Sequence, residues 1–142
     1  MTIDELKDKA RYYARLHDLD GSLVCAVIEQ ESNWATWSIR FEPDFETRYV
    51  VKLHLGPTEC TARSISWGLM QLMGECAREM GFEGKLASLC DPDIGLEWGC
   101  RHLKAKLDAH GGDVTAGLLA WNGGGNPDYA AEAMARMDKY SA

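Results

Sequence analysis

At 142 residues the chain is long enough for one hydrophobic core and short for two, so a single domain spanning 1–142 is expected. Its composition, 46% hydrophobic and 26% charged, excludes a disordered or membrane-embedded polypeptide. A formal net charge of −7, without clustered Lys and Arg, excludes the phosphate-neutralising surface of a nucleic-acid binder.

Along the chain, Thr2 followed by Glu5 reads as a capping box, and Ile3, Leu6, Ala10, Tyr13 and Ala14 recur at helical spacing until about His17. After a turn at Asp18 to Gly21, Ser22 is placed to cap a second helix from Leu23 to about Asn33. The helical period is lost between Ala35 and Ser66, where Tyr49, Val50, Val51, Leu53 and Leu55 predict at most a short hairpin inside a long loop. It resumes at Trp67 and continues through Met80 to Gly81, a natural helix stop. Asp91 with Pro92 opens another helix ending near His110, Asp113 caps a shorter one carrying Leu118, Leu119 and Trp121, and Asn126 with Pro127 starts a last helix to about Tyr140. The fold class expected is mainly α: five or six helices with one irregular excursion, and no β element beyond a small hairpin in 35–66.

Cys25, Cys60, Cys76, Cys90 and Cys100 form no CxxC pair. Their odd number cannot close fully within the chain, so free thiols are expected. The amino-terminal MTIDELKDKARYY lacks the apolar run of a secretory signal, and no stretch approaches the roughly 18 apolar residues of a membrane span. Synthesis in the cytoplasm without a signal peptide is the expectation. His17, His54, His102 and His110 show no metal-ligand spacing, and no HExxH, Walker or GxSxG motif is present. No metal and no cofactor are expected.

Leu23, Val27 and Glu31 fall at i, i+4 and i+8, so Glu31 continues the apolar stripe at the carboxyl end of the second helix. Desolvation and the negative end of the helix dipole both favour the protonated carboxyl and raise its pKa, which suits a general acid near neutral pH. The stripe alone leaves open a Glu that snorkels out of the last turn or pairs with an arginine.

Three segments in order resemble the lytic transglycosylases of the SLT type, which share the goose-type lysozyme fold. IEQESNW, Ile28 to Trp34, is similar to the family's helix ending in Glu-Ser; SISWGLMQLM, Ser64 to Met73, to its Gly-Leu-Met-Gln segment; and LAWNGGGNPDY, Leu119 to Tyr129, to its Ala-Tyr-Asn-x-Gly segment. DPDIGLEWGCRHL, Asp91 to Leu103, resembles the helix between the second and third motifs. Two departures stand out. The segment after Glu-Ser runs Asn33, Trp34, Ala35, Thr36 and on into RFEPDF, a variant associated with phage-like members. Trp121 stands where the family usually has Tyr, so a hydrogen bond from a Tyr hydroxyl to the catalytic Glu cannot be carried over.

The resemblance implies a lysozyme-like helical domain that cuts peptidoglycan glycan strands, with Glu31 as catalytic acid and base. It implies substrate contacts from Ser32, from Ser66, Gly68, Met70 and Gln71 in the second motif, and from Trp121, Asn122 and Tyr129 in the third. An amide such as Gln71 can bond N-acetyl or hydroxyl groups, and a glycine permits close approach. Trp34, Trp37 and Trp67 are candidate sugar-stacking faces, with core packing the alternative for each. Glu31 would protonate the oxygen of the MurNAc-β-1,4-GlcNAc bond and then deprotonate the muramic C6 hydroxyl, which closes a 1,6-anhydro ring. A muramidase would instead need a second carboxylate roughly 6.5 to 9.5 Å away. Glu42 is the best candidate, with Asp44 and Glu46 behind it, and the alternative for Glu42 is a solvated or Arg40-paired loop residue. A third reading is a non-catalytic glycan-binding module. The expected setting is a monomer acting on the cell wall, in the periplasm, as an endolysin, virion-associated opener or remodelling enzyme. The −7 charge gives no attraction to an anionic polymer.

Overall fold

The structure is a computed structural model that describes residues 1–141. Helix α1 (Ile3–Leu16) opens on the expected capping box: Thr2 Oγ1 accepts from Glu5 N at 3.1 Å while Glu5 accepts from Thr2 N at 2.6 Å. Helix α2 (Gly21–Ser32) starts earlier than expected because Asp20, not Ser22, is its cap. The Asp20 carboxylate accepts from both Ser22 N (2.8 Å) and Ser22 Oγ (2.7 Å), and a carboxylate outcompetes a hydroxyl for the free amides of the first turn. Every residue from Ser22 to Ile28 is buried. Helix α2 is therefore enclosed on all sides rather than carrying a single apolar stripe, with α1, the helix Tyr129–Arg136 and the turn Met137–Tyr140 packed around it.

The excursion between α2 and the middle of the chain departs most from the sequence reading. Strand β1 (Ile39–Phe41) is followed by a helical turn α3 (Pro43–Phe45), a π turn (Glu46–Val50), a 3₁₀ turn (Val51–Leu53) and helix α4 (Pro57–Arg63). The hairpin expected around Tyr49 to Leu55 is absent. Pro43 presets the φ of a first helical turn, and of the β-prone residues Tyr49, Val50, Val51 and Leu53 only Val50 is buried. Without a facing strand, β-propensity has nothing to act through.

The helix expected from Trp67 is also replaced. Residues Ile65–Trp67 form β2 and Leu72–Met73 form β3, joined by a turn in which Gly68 (φ +73°) and Gln71 (φ +52°) adopt left-handed backbone. The three strands form an antiparallel sheet in the order β1-β2-β3, with Ile39 opposite Trp67, Arg40 opposite Ser66, Phe41 opposite Ile65 and Trp67 opposite Leu72. Helix α5 (Gly74–Glu79) and a 3₁₀ turn (Leu86–Cys90) follow.

The carboxyl-terminal half matches its caps. Asp91 accepts from Asp93 N and Ile94 N at the head of α6 (Pro92–Ala109), and Asp113 accepts from Ala116 N at the head of α7 (Val114–Asn122). Helix α8 (Tyr129–Arg136) begins later than expected, because the Asn126 side chain accepts from Asp128 N at 3.0 Å and holds those residues in a turn. A 3₁₀ turn, Met137–Tyr140, ends it.

The main core gathers α1, α2, α6, α7 and α8 around Val24, Ile28, Leu96, Leu103 and Leu118, and reaches Leu69 and Met70 of the β2–β3 turn. A second cluster, Trp67, Leu72, Phe82, Leu86 and Leu89, lies under the sheet and α5. All five cysteines are free. Burial pushes the Cys25 thiol up to about 11 and Cys100 to about 12, which leaves them protonated and unreactive.

Gly68 sits where the cores meet. A Cβ built there would lie 2.5 Å from the Leu89 carbonyl oxygen, on a backbone already at positive φ. Gly68→Ala therefore combines left-handed strain with backbone overpacking, and a loss of about 3 kcal/mol is expected. Urea unfolding of the two proteins at one pH measures it; a change below about 1 kcal/mol would show that the turn shifts freely.

Candidate active site

Glu31 is the penultimate residue of α2, half-buried at the carboxyl end of the enclosed helix. Asn33 caps the helix in the left-handed conformation (φ +49°) with its N–H on the Glu29 carbonyl, and Trp34 follows at φ +67°. Two consecutive non-glycine residues with positive φ need an anchor. Trp34 provides it: the ring is buried, meets Tyr140 edge-on at 6.0 Å, and donates Nε1–H to the Tyr140 hydroxyl at 3.1 Å.

The Glu31 carboxyl is held by two donors on one oxygen. Oε2 accepts from Trp121 Nε1 at 3.0 Å and from the Tyr129 hydroxyl at 2.7 Å. Oε1 meets no donor among the described residues and is not sealed from solvent. Burial raises the Glu31 pKa, while the bonds from Tyr129 and Trp121, and then the charge of Arg40, act against that rise. Burial and the adjoining Glu31 push the Tyr129 phenol far above its usual range, so it stays a donor. The Trp121 ring rests on His102 at 5.4 Å, and burial beside Lys106 brings His102 down to about 4. The imidazole is neutral near pH 7 and puts no charge behind the indole.

The lost Tyr hydroxyl at position 121 is thus made good twice. The indole donates from the same place in the third motif, and Tyr129 brings a hydroxyl from the start of α8.

The other expected contact residues divide into those that tie the β2–β3 turn to the end of α2 and those turned into the core. Ser32 Oγ lies 2.8 Å from the Leu69 carbonyl oxygen and 3.1 Å from that of Ile28, which ties the end of α2 to the β2–β3 turn. Gln71 Nε2 donates to the carbonyls of Ser38 (2.8 Å) and Gly68 (2.9 Å), and its Oε1 accepts from Ser66 Oγ at 3.1 Å. Gly68 N also bonds the Ser38 carbonyl, at 2.8 Å. These groups lock the turn beside Glu31. Met70 is 1% exposed and packs on Gly99, so it belongs to the core rather than to a sugar-facing surface. Asn122, with its amide oxygen turned inward, accepts from Gly125 N (3.1 Å) and Asn126 N (2.8 Å) and shapes the glycine loop after α7.

Glu42 Oε1 lies 3.1 Å from Arg40 Nε, the arginine-paired alternative foreseen for it. Of the candidate stacking rings, Trp34 and Trp67 are core residues and Trp37 is 76% exposed. Sequence reasoning missed Arg40, whose charge reaches Glu31, and Ser38, whose carbonyl receives two bonds; neither type carries a local signal for such a role.

A half-buried carboxylic acid at the end of a central helix, flanked by a three-stranded sheet and two donor helices, defines a lysozyme-like helical domain. The chain matches the family model of the transglycosylase SLT domain over residues 9–141. It belongs to that family, and its general function is the peptidoglycan-cleaving, lysozyme-like one of these enzymes. No solved structure matches the chain. Among the described residues no helix is long and apolar enough to cross a membrane.

The raised Glu31 pKa carries a stability consequence. The folded state holds this proton more tightly than the unfolded chain, so the associated stability is complete below the unfolded value near 4.5 and is lost as pH rises through the folded value. Glu31→Gln removes that loss. Unfolding free energies at pH 4 and pH 7 should show the variant gaining on the wild type as pH rises; a pH-independent difference would refute a raised pKa.

Proposed function

We propose that the chain is a lytic transglycosylase that cleaves the MurNAc-β-1,4-GlcNAc bond with Glu31 as its one catalytic acid and base, leaving 1,6-anhydro-MurNAc ends. The observation that carries this reading is the division of labour between the two carboxyl oxygens. With Trp121 and Tyr129 both donating to Oε2, the proton of the neutral acid resides on Oε1, the oxygen open to the cleft.

From Oε1 the proton passes to the glycosidic oxygen as the C1–O bond breaks, and the GlcNAc leaves with a free 4-hydroxyl. The new carboxylate keeps both donors on Oε2, which spread its charge while an oxocarbenium-like centre faces it. Oε1 then takes the proton of the muramic C6 hydroxyl as O6 bonds to C1. The acid is regenerated, no water is consumed, and the substrate contributes the nucleophile.

Gln71, Ser66 and Ser32 act in this reading as a frame that positions Glu31, the buried Gly68 and Met70 support that frame, and Asn122 shapes the glycine loop after α7. The whole chain works as one domain and as a monomer. A muramidase using Glu42 is the second reading. The free protein holds the Glu42 carboxylate on Arg40, and a substrate that supplies its own C6 hydroxyl needs no second base. The place of action is the cell wall; endolysin, virion-associated and remodelling roles share this chemistry.

Glu31→Gln keeps the acceptor for Trp121 and Tyr129 but removes the mobile proton, so turnover on purified sacculi should fall by about 10² to 10⁴ with the fold unchanged. Glu42→Gln should stay within a few-fold of wild type, and mass spectrometry of released muropeptides should find them one water lighter than hydrolysed ones. Mostly reducing ends, with Glu42→Gln as damaging as Glu31→Gln, would assign the chain to the muramidases.

A further inference from the structure

The sheet has two unlike faces. Side chains alternate along β1, so Ile39 and Phe41, opposite Trp67 and Ile65, share one face, and Arg40, opposite Ser66, lies on the other. Ser66 bonds Gln71, Gln71 belongs to the turn whose Leu69 carbonyl receives Ser32, and Ser32 adjoins Glu31. The Arg40 face is thus the one joined to the end of α2. The charge of Arg40 acting on Glu31 agrees with this placement.

Arg40 is poorly used in the free protein. Its side chain is 76% exposed, Nε alone is engaged, with Glu42 at 3.1 Å, and the two terminal nitrogens meet no acceptor among the described residues. An exposed pair of this kind is worth at most about 1 kcal/mol, so the guanidinium can turn from Glu42 to a better acceptor at little cost. A guanidinium with two free NH₂ groups suits a carboxylate, which it grips through two parallel bonds. The substrate class offers such groups beside the bond to be cut, on the peptide where one is attached and on the lactyl arm of a muramic sugar that carries none. A chain of net charge −7 repels those anions unless a local cation receives them.

We infer that Arg40 is a specificity residue that binds a carboxylate of the muramic arm, so that the enzyme selects carboxylate-bearing strands over neutral ones. This rests on the peptidoglycan reading above. The two sources, the lactyl carboxylate and the carboxylates of the attached peptide, share this chemistry.

Binding measured in the Glu31→Gln background separates recognition from catalysis and removes any effect of Arg40 on the ionisation of Glu31. The probes are soluble peptide-bearing glycan strands, the same strands with their carboxylates converted to amides, and strands stripped of peptide by an amidase, which exposes the lactyl carboxylate. Adding Arg40→Gln should weaken binding of peptide-bearing strands about tenfold, the scale of one charge-assisted contact, and leave amidated strands unchanged; Arg40→Lys should recover part of the loss. A comparable loss on stripped strands extends the site to the lactyl carboxylate that removal of the peptide exposes, and no loss there confines it to the carboxylates of the peptide. Equal weakening on native and amidated strands, or none on either, would overturn the inference. Wild-type cleavage of native strands is scored separately, so failure of the catalytic reading shows as intact binding without products.

Discussion

A carboxyl group at the end of a helix enclosed on every side is the constraint around which this molecule is built. Burial and the helix terminus favour its neutral form, and two fixed donors on Oε2 favour its charged form. Neither influence alone gives a group able to exchange a proton with a substrate near neutral pH. Burial alone traps the proton, and two donors on an exposed carboxylate hold it ionised. The balance depends on placing Trp121 and Tyr129 to within hydrogen-bond distance of one oxygen, although they lie 90 and 98 residues along the chain from Glu31. The packing of α7 and α8 against the core, and the support of His102 behind the indole, serve that placement.

The second requirement is that the sheet stay in register with the end of α2. Leu69 and Met70 of the β2–β3 turn pack in the same core as α2, and a chain of polar groups fixes the register. Ser32 reaches Leu69, Gln71 reaches Ser38 and Gly68, and Ser66 reaches Gln71. Each such bond contributes about 1 kcal/mol net, but leaving one partner buried and unpaired costs about 1 to 3 kcal/mol. The network is therefore sharply specified, and the Glu-Ser and Gly-Leu-Met-Gln segments must occur together. Ser32, Ser66 and Gln71, expected as substrate contacts, bond to the protein itself and help to set the position of the Glu31 carboxyl.

What was legible in the sequence follows from range. The capping box at Thr2 and Glu5 and the caps at Asp91 and Asp113 act within three residues, and each marked a helix start. Where two local candidates competed, as Asp20 and Ser22 did, charge decided and the sequence reading chose wrongly. The strands were hidden because β1 has only three residues, all exposed, and owes its form to β2 twenty-six residues away. The segment Trp67 to Met73 has helical spacing, yet Gly68 and Gln71 take positive φ because their amides and carbonyls are claimed by Ser38 and by each other. The half-buried place of Glu31 at the end of its helix was legible from the apolar stripe, whereas the Trp121 bond was not. An indole in a helix reads as core, and only the fold places its one polar atom against a carboxylate.

That substitution bears on the proposed cycle. A phenol can donate or accept, so two hydroxyls facing one carboxyl can reverse their bonds when the proton moves. An indole N–H can only donate. With Trp121 fixed as a donor to Oε2, that oxygen is an acceptor in both protonation states, and Tyr129, held neutral by its burial, completes it from the other side. The proton then comes and goes on Oε1 with no rearrangement behind it. Preorganised groups lower a barrier because they need not turn as charge develops, and a general acid that must also serve as the base within one turnover gains from this at both steps.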